Sequence, residues 1–173
     1  MDFVVLRLIH VLSGAFWLGA AVTMFVFLQP TAQATAPEGQ RFMLHLLRNR
    51  RFSEVVLAAA LLTGVAGGIL FLRDTNGLQV DAMTQPGSLG FTVGGVAGGI
   101  ALLAFLLVGY PAGRRVITIG DRLETERRGP TEDEQRILAA AQRVLNRTGS
   151  TVLVLLVLAA AAMATARYWP LVL

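Results

Sequence analysis

The chemistry this chain can offer starts from one histidine. His10 lies inside a long apolar stretch, with Gly14 one helical turn later and Trp17 about two turns later. On a helix the three share a face: an imidazole, a notch without a side chain, and a broad flat ring. An ionisable, metal-ligating group is costly inside a bilayer and by default marks a functional position. Arg7 stands one turn from His10, Arg73 and Arg167 end two further apolar segments, and Met163 is one turn from Arg167. One imidazole below three guanidiniums suits haem b or a related tetrapyrrole. His10 would bind the iron, Met163 is a candidate second axial ligand, and the arginine forks would pair with propionates. The alternative is that Arg7, Arg73 and Arg167 snorkel to lipid headgroups while His10 hydrogen-bonds to a neighbouring helix. His45, among Arg41, Arg48, Arg50 and Arg51, reads as an exposed interfacial residue, because nearby positive charge opposes metal binding.

Composition limits what else the chain can do. It has 173 residues, 54% of them apolar, and a mean hydropathy of +0.61, which places it in the membrane class as a single domain. Cysteine is absent, which excludes disulfides, thiolate zinc sites, cysteine-ligated iron–sulfur clusters and covalent c-type haem. All 15 basic residues are arginine, so no lysine Schiff base or lysine general base operates. The pI near 10.9 reflects arginines at membrane flanks rather than a nucleic-acid site. No nucleophile–base pair, H-E-x-x-H, P-loop or dinucleotide fingerprint is present.

The elements that must position His10 are long apolar helices, since open strands would leave backbone groups unpaired in lipid. A crossing needs about 20 apolar residues, and four segments qualify: about 3–28, 52–72, 89–110 and 151–169. Prolines close three of them: Pro30, Pro111 and Pro170. The first lacks a basic leader and a cleavage site, and reads as a retained helix. Arginines crowd the first and third loops, whereas the second carries Arg73 alone beside Asp74 and Asp81. The positive-inside rule then places those two loops in the bacterial cytoplasm, with both termini outside and His10 about 10 Å into the outer half.

The stretch 112–149 reads as a helical cytoplasmic arm. Thr131 and Glu134 form a capping box after Gly129-Pro130, acidic residues fill the first turn, and Arg143 and Arg147 the last. Its apolar stripe, Ile137, Leu138, Ala141, Val144 and Leu145, is expected to pack on the segment before it. Residues 40–51 read as a short interfacial helix. Glu54 is expected to be neutralised by Arg50 and Arg51. Spans two and three share the runs Gly64-Val65-Ala66-Gly67-Gly68-Ile69 and Gly95-Val96-Ala97-Gly98-Gly99-Ile100. Each holds a G-x-x-x-G pair, which predicts close packing of these helices, or else a face for a flat cofactor, another subunit or a second copy.

Leu6-Arg7-Leu8-Ile9-His10, continuing to Trp17-Leu18-Gly19, resembles the first helix of the HemJ-type protoporphyrinogen oxidases and the CopD-like small membrane proteins. The resemblance extends more weakly to Arg51-Phe52 and Gly113-Arg114. It implies a four-helix membrane fold and a haem-binding role for His10. The HemJ-type lysine at the start of the third helix is missing, with Phe91-Thr92 in that region. The family's basic residue late in the first helix is missing too, where Met24-Phe25-Val26-Phe27 stand. Both losses argue against protoporphyrinogen oxidase activity. Scattered methionines, without a methionine motif, rank copper handling below haem. The expectation is therefore an all-α, integral membrane four-helix bundle with a helical cytoplasmic arm, binding a tetrapyrrole for electron transfer or sensing. The runner-up is a non-catalytic accessory subunit of a larger membrane complex.

Overall fold

Apolar runs that must satisfy their own backbone can only coil, and in this computed structural model they do so without a strand among the described residues, 2–48 and 50–171. The elements are α1 (Phe3–Ala34), α2 (Glu38–Arg48), α3 (Phe52–Asp74), α4 (Val80–Thr84), α5 (Pro86–Glu126) and α6 (Glu132–Leu171). Of these, α1, α3, α5 and α6 are long and apolar enough to cross a membrane.

Pro30 and Pro111 do not end their helices, contrary to the expectation from sequence. Each is preceded by a π-helical segment, Thr23–Leu28 in α1 and Phe105–Gly109 in α5, and the helix resumes beyond. A proline lacks the N–H for the ladder and its ring presses on the carbonyl one turn back; the wider turn relieves that clash. As a result α1 runs on for 32 residues and α5 for 41; α6, with no such proline in its path before Pro170, covers 40. The extensions of α5 and α6 form a helical hairpin, the arm, and its second helix is continuous with the fourth span.

The pairs α1–α3 and α5–α6 carry most of the packing, and α3–α5 and α1–α6 contacts close the ring. Trp17, Ala21, Val56, Ala59, Ala60, Ala101, Val152 and Leu156 meet at its centre, drawn from all four long helices. Two glycines of α5 bring it close against α6. A Cβ at Gly90 would lie 2.7 Å from Ala166 Cα and 2.9 Å from Ala162 O; one at Gly94 would lie 2.6 Å from Met163 Cγ and 3.0 Å from Ala159 O. This seam corrects the reading of the glycine repeat. Gly64 does accept Leu102 of α5, but a methyl group at Gly68, Gly95 or Gly99 would meet nothing within 4 Å. Gly95 lies five residues past Gly90, which turns it about 140° around the helix and off the seam.

Ion pairs join the loops to the arm. Arg48 Nη1 at the end of α2 is 2.8 Å from Asp121 Oδ1 and 3.0 Å from Glu124 Oε2 of α5. Glu54 pairs with Arg114 at 3.4 Å, not with Arg50 or Arg51, because the unbroken α5 carries Arg114 alongside the start of α3. At the arm's tip the capping box forms: Thr131 N–H donates to Glu134 Oε2 at 2.9 Å, and Glu134 N–H donates to Thr131 Oγ1 at 3.3 Å. Arg128 grips the same carboxylate with two nitrogens at 2.6 and 2.8 Å. These bonds, Arg128's first and the Thr131 N–H second, pull the Glu134 carboxyl from its ordinary 4.5 down to about 2.

Gly90→Ala is expected to lower bundle stability by about 1–3 kcal/mol, because the atoms it meets are mainly backbone. Gly95→Ala should leave stability unchanged or raise it by up to about 1 kcal/mol; denaturation in mixed micelles reads both. Because the folded Glu134 carboxyl is the stronger acid, its contribution to the arm is whole above pH 4.5 and is lost as pH falls from there toward about 2. Amides 132–136 should lose exchange protection over that interval, after correction for intrinsic rates, while those of 152–162 keep theirs.

Candidate functional site

His10 faces inward, into the seam between α1 and α3. Its Nδ1 lies 2.9 Å from the carbonyl oxygen of Thr63. A carbonyl can only accept, so Nδ1 carries a proton and donates, and in the neutral ring the lone pair is then on Nε2. The ring lies against Gly67, where a Cβ would stand 2.6 Å from His10 Cε1 and 2.7 Å from Nδ1. One turn along, the hydroxyls of Ser13 and Thr63 are 2.8 Å apart, and each also reaches a carbonyl of its own helix: Ile9 O at 2.5 Å and Ala59 O at 2.8 Å. With Ser13 Oγ also 3.5 Å from His10 O, two hydroxyl protons serve four contacts and are shared between them. Gly14 is what lets Thr63 in: a Cβ there would lie 3.3 Å from Thr63 Cγ2. The result is a polar stitch between two apolar helices, in which every group but Nε2 is engaged. Ser13, Thr63 and Gly67 were not legible as partners, although Thr63 is the only polar residue in the middle of α3.

The other candidate residues do not gather around His10. Trp17 is 2% exposed and packs on Phe105 of α5, ring centroids 6.2 Å apart. Arg7 sits over Phe3 at 5.3 Å, and Arg167 over Tyr168 at 4.6 Å while donating to its hydroxyl, so both stay on their own helices. Arg73 is exposed at the end of α3. Met163 fills the notch at Gly94 in the α5–α6 seam, a different interface from that of His10. Among the described residues no group of three or more His, Asp or Glu could hold a metal ion. The tautomer of His10 suits a metal ligand, but a macrocycle does not fit within the α1–α3 seam. Thr63 and the imidazole already fill the spaces that Gly14 and Gly67 leave.

A large space lies at the other end of the bundle. A cavity of about 1640 Å³ opens between α2, the arm and the adjoining ends of the long helices. Trp17, Phe25, Phe52, Val56, Phe105 and Val152 make an apolar wall from the span segments. Five carboxamides also line it, Gln29, Gln33, Gln40, Gln142 and Asn146, of which Gln29 and Gln142 both donate to Asn146 Oδ1. Beyond the spans the wall is cationic: Arg41, Arg48, Arg114, Arg127, Arg128 and Arg143 line it. His45 lines it too and is exposed, as expected. Ordinary small-molecule pockets hold about 300–1,000 Å³, so this one has room for a long-chain molecule with some water. Its wall comes from segments far apart in the chain, which is why no spacing in the sequence announces it.

Gly67→Ala is expected to push the imidazole off Thr63 and lower stability by about 1–2 kcal/mol. In a His10→Ala background the same change should be harmless, and a double-mutant cycle in mixed micelles measures that coupling.

Comparison with protein-family models, with curated proteins and with solved structures finds no match to this chain. The resemblance of its first helix to the HemJ-type and CopD-like proteins therefore rests on the residues around His10 and Trp17 alone.

Proposed function

We propose that this is a multi-pass membrane protein that binds a hydrophobic ligand in the cavity at the arm end of its bundle. The proposal includes the bacterial cytoplasmic membrane as its site, with the arm and α2 cytoplasmic and both termini outside. Twelve of the 15 arginines fall in those two loops, which supports that orientation. The observation that carries the binding function is the cavity itself, about 1640 Å³ with an aromatic wall continuous with the membrane-spanning segments. A concave, mostly apolar space with a few polar groups placed at one side is the usual form of a ligand site.

Trp17 reports on this site directly, because it lines the cavity and Trp169 is the only other tryptophan. In a Trp169→Phe background, energy transfer from Trp17 to N-dodecyl dansylamide should saturate near one probe per chain. Gly113→Leu should weaken that binding at least tenfold, since a Cβ at Gly113 meets only Leu145 Cδ2 at 3.9 Å and a larger side chain enters the cavity. Transfer that never saturates, or that ignores Gly113→Leu, overturns the proposal.

A tetrapyrrole at His10 is the second reading, favoured by one observation: the Thr63 carbonyl fixes the tautomer that leaves Nε2 able to bind metal. It requires the macrocycle to lie outside the α1–α3 seam. Protein purified from its native membrane should then show Soret absorption that His10→Ala abolishes; a featureless visible spectrum removes this reading.

A further inference from the structure

We propose that the cavity selects an anionic phospholipid, whose phosphate head is held by Arg143 and Arg41 while an acyl chain lies along the aromatic wall; this rests on the ligand-binding function above. The argument is one of charge and position. Six arginines line the cavity, and among the described residues its lining includes a single acid, Glu124. Three of the six are already committed: Arg48 to Asp121 and Glu124, Arg114 to Glu54, and Arg128 to Glu126 and Glu134. Arg41, Arg127 and Arg143 have no acidic partner among the described residues. The wall thus carries uncompensated positive charge beyond the spans, interspersed with carboxamides, and apolar surface within them.

That gradient matches an amphiphile with an acidic head, and guanidinium forks suit phosphate oxygens in particular. Position favours a lipid as the source. Phe52, Phe105 and Val152 belong to the apolar spans, whereas Arg41 on α2 and Arg143 on the arm part of α6 lie beyond them. The cavity therefore straddles the level at which a membrane's own headgroups sit. A lipid can enter it without leaving its normal depth.

The test uses the full-length Trp169→Phe protein in neutral detergent with N-dodecyl dansylamide bound. Phosphatidylglycerol is expected to displace the probe at a concentration at least tenfold lower than phosphatidylcholine does. Arg41→Gln with Arg143→Gln should bring the two lipids to parity, each displacement being referred to that variant's own affinity for the probe. Inorganic phosphate alone should displace nothing. Equal displacement by both lipids, a preference that survives the double substitution, or displacement by inorganic phosphate overturns the proposal. If the probe itself never binds saturably, the ligand-binding function fails first; if it binds and shows no head preference, only the lipid selectivity fails.

Discussion

The whole arrangement depends on how closely two backbones come together along α5 and α6. Between helices in lipid there is no hydrophobic gain from burying one apolar side chain against another, so association relies on close packing and on polar contacts. Gly90 and Gly94 allow α6 to press its Ala162, Met163 and Ala166 into α5, close enough that a methyl group at either glycine would collide. That contact aligns the two longest helices and lets them leave the bundle as a pair. The arm is thus an extension of the seam rather than a separately folded loop, and the capping box with Arg128 and Glu134 closes its far end.

The α1–α3 pair is joined by different means. Here Gly14 and Gly67 admit side chains, Thr63 and His10, instead of bare backbone, and the seam is stitched by hydrogen bonds. Such bonds between membrane helices are modest individually, about 0.6 kcal/mol on average. Their effect is on register: the donor–carbonyl pair of His10 and Thr63 forms at one relative height only. His10 therefore has a structural duty in the seam between α1 and α3.

Between these two pairs the arm end of the bundle holds the cavity, although Phe25 of α1 closes directly on Gly149 of α6 there. Both π segments, Thr23–Leu28 and Phe105–Gly109, lie at that end, and both contribute to the cavity through Met24, Phe25, Phe105 and Gly109. Each wide turn shifts the helix beyond it, and α2 meets the arm through the Arg48 ion pairs and through Leu44, which lies against Gly120. Helices that diverge without side chains large enough to fill the gap leave a space, here one with an aromatic wall and a cationic rim.

The sequence by itself determined the helical class, the four apolar spans, the short helix after the first span and the capping box at Thr131, because each depends on local periodicity, length or a three-residue spacing. It also marked His10 as exceptional. Which glycines touch, where Arg114 finds its acid, that Pro30 and Pro111 are passed rather than obeyed, and that Met163 packs in a different seam from His10 were decided only by the tertiary structure. The physical reason is rotational: a helix shows every face in its sequence at once, and only docking against specific neighbours selects which face is buried. The cavity is the extreme case, since it exists in no segment and arises from the divergence of several.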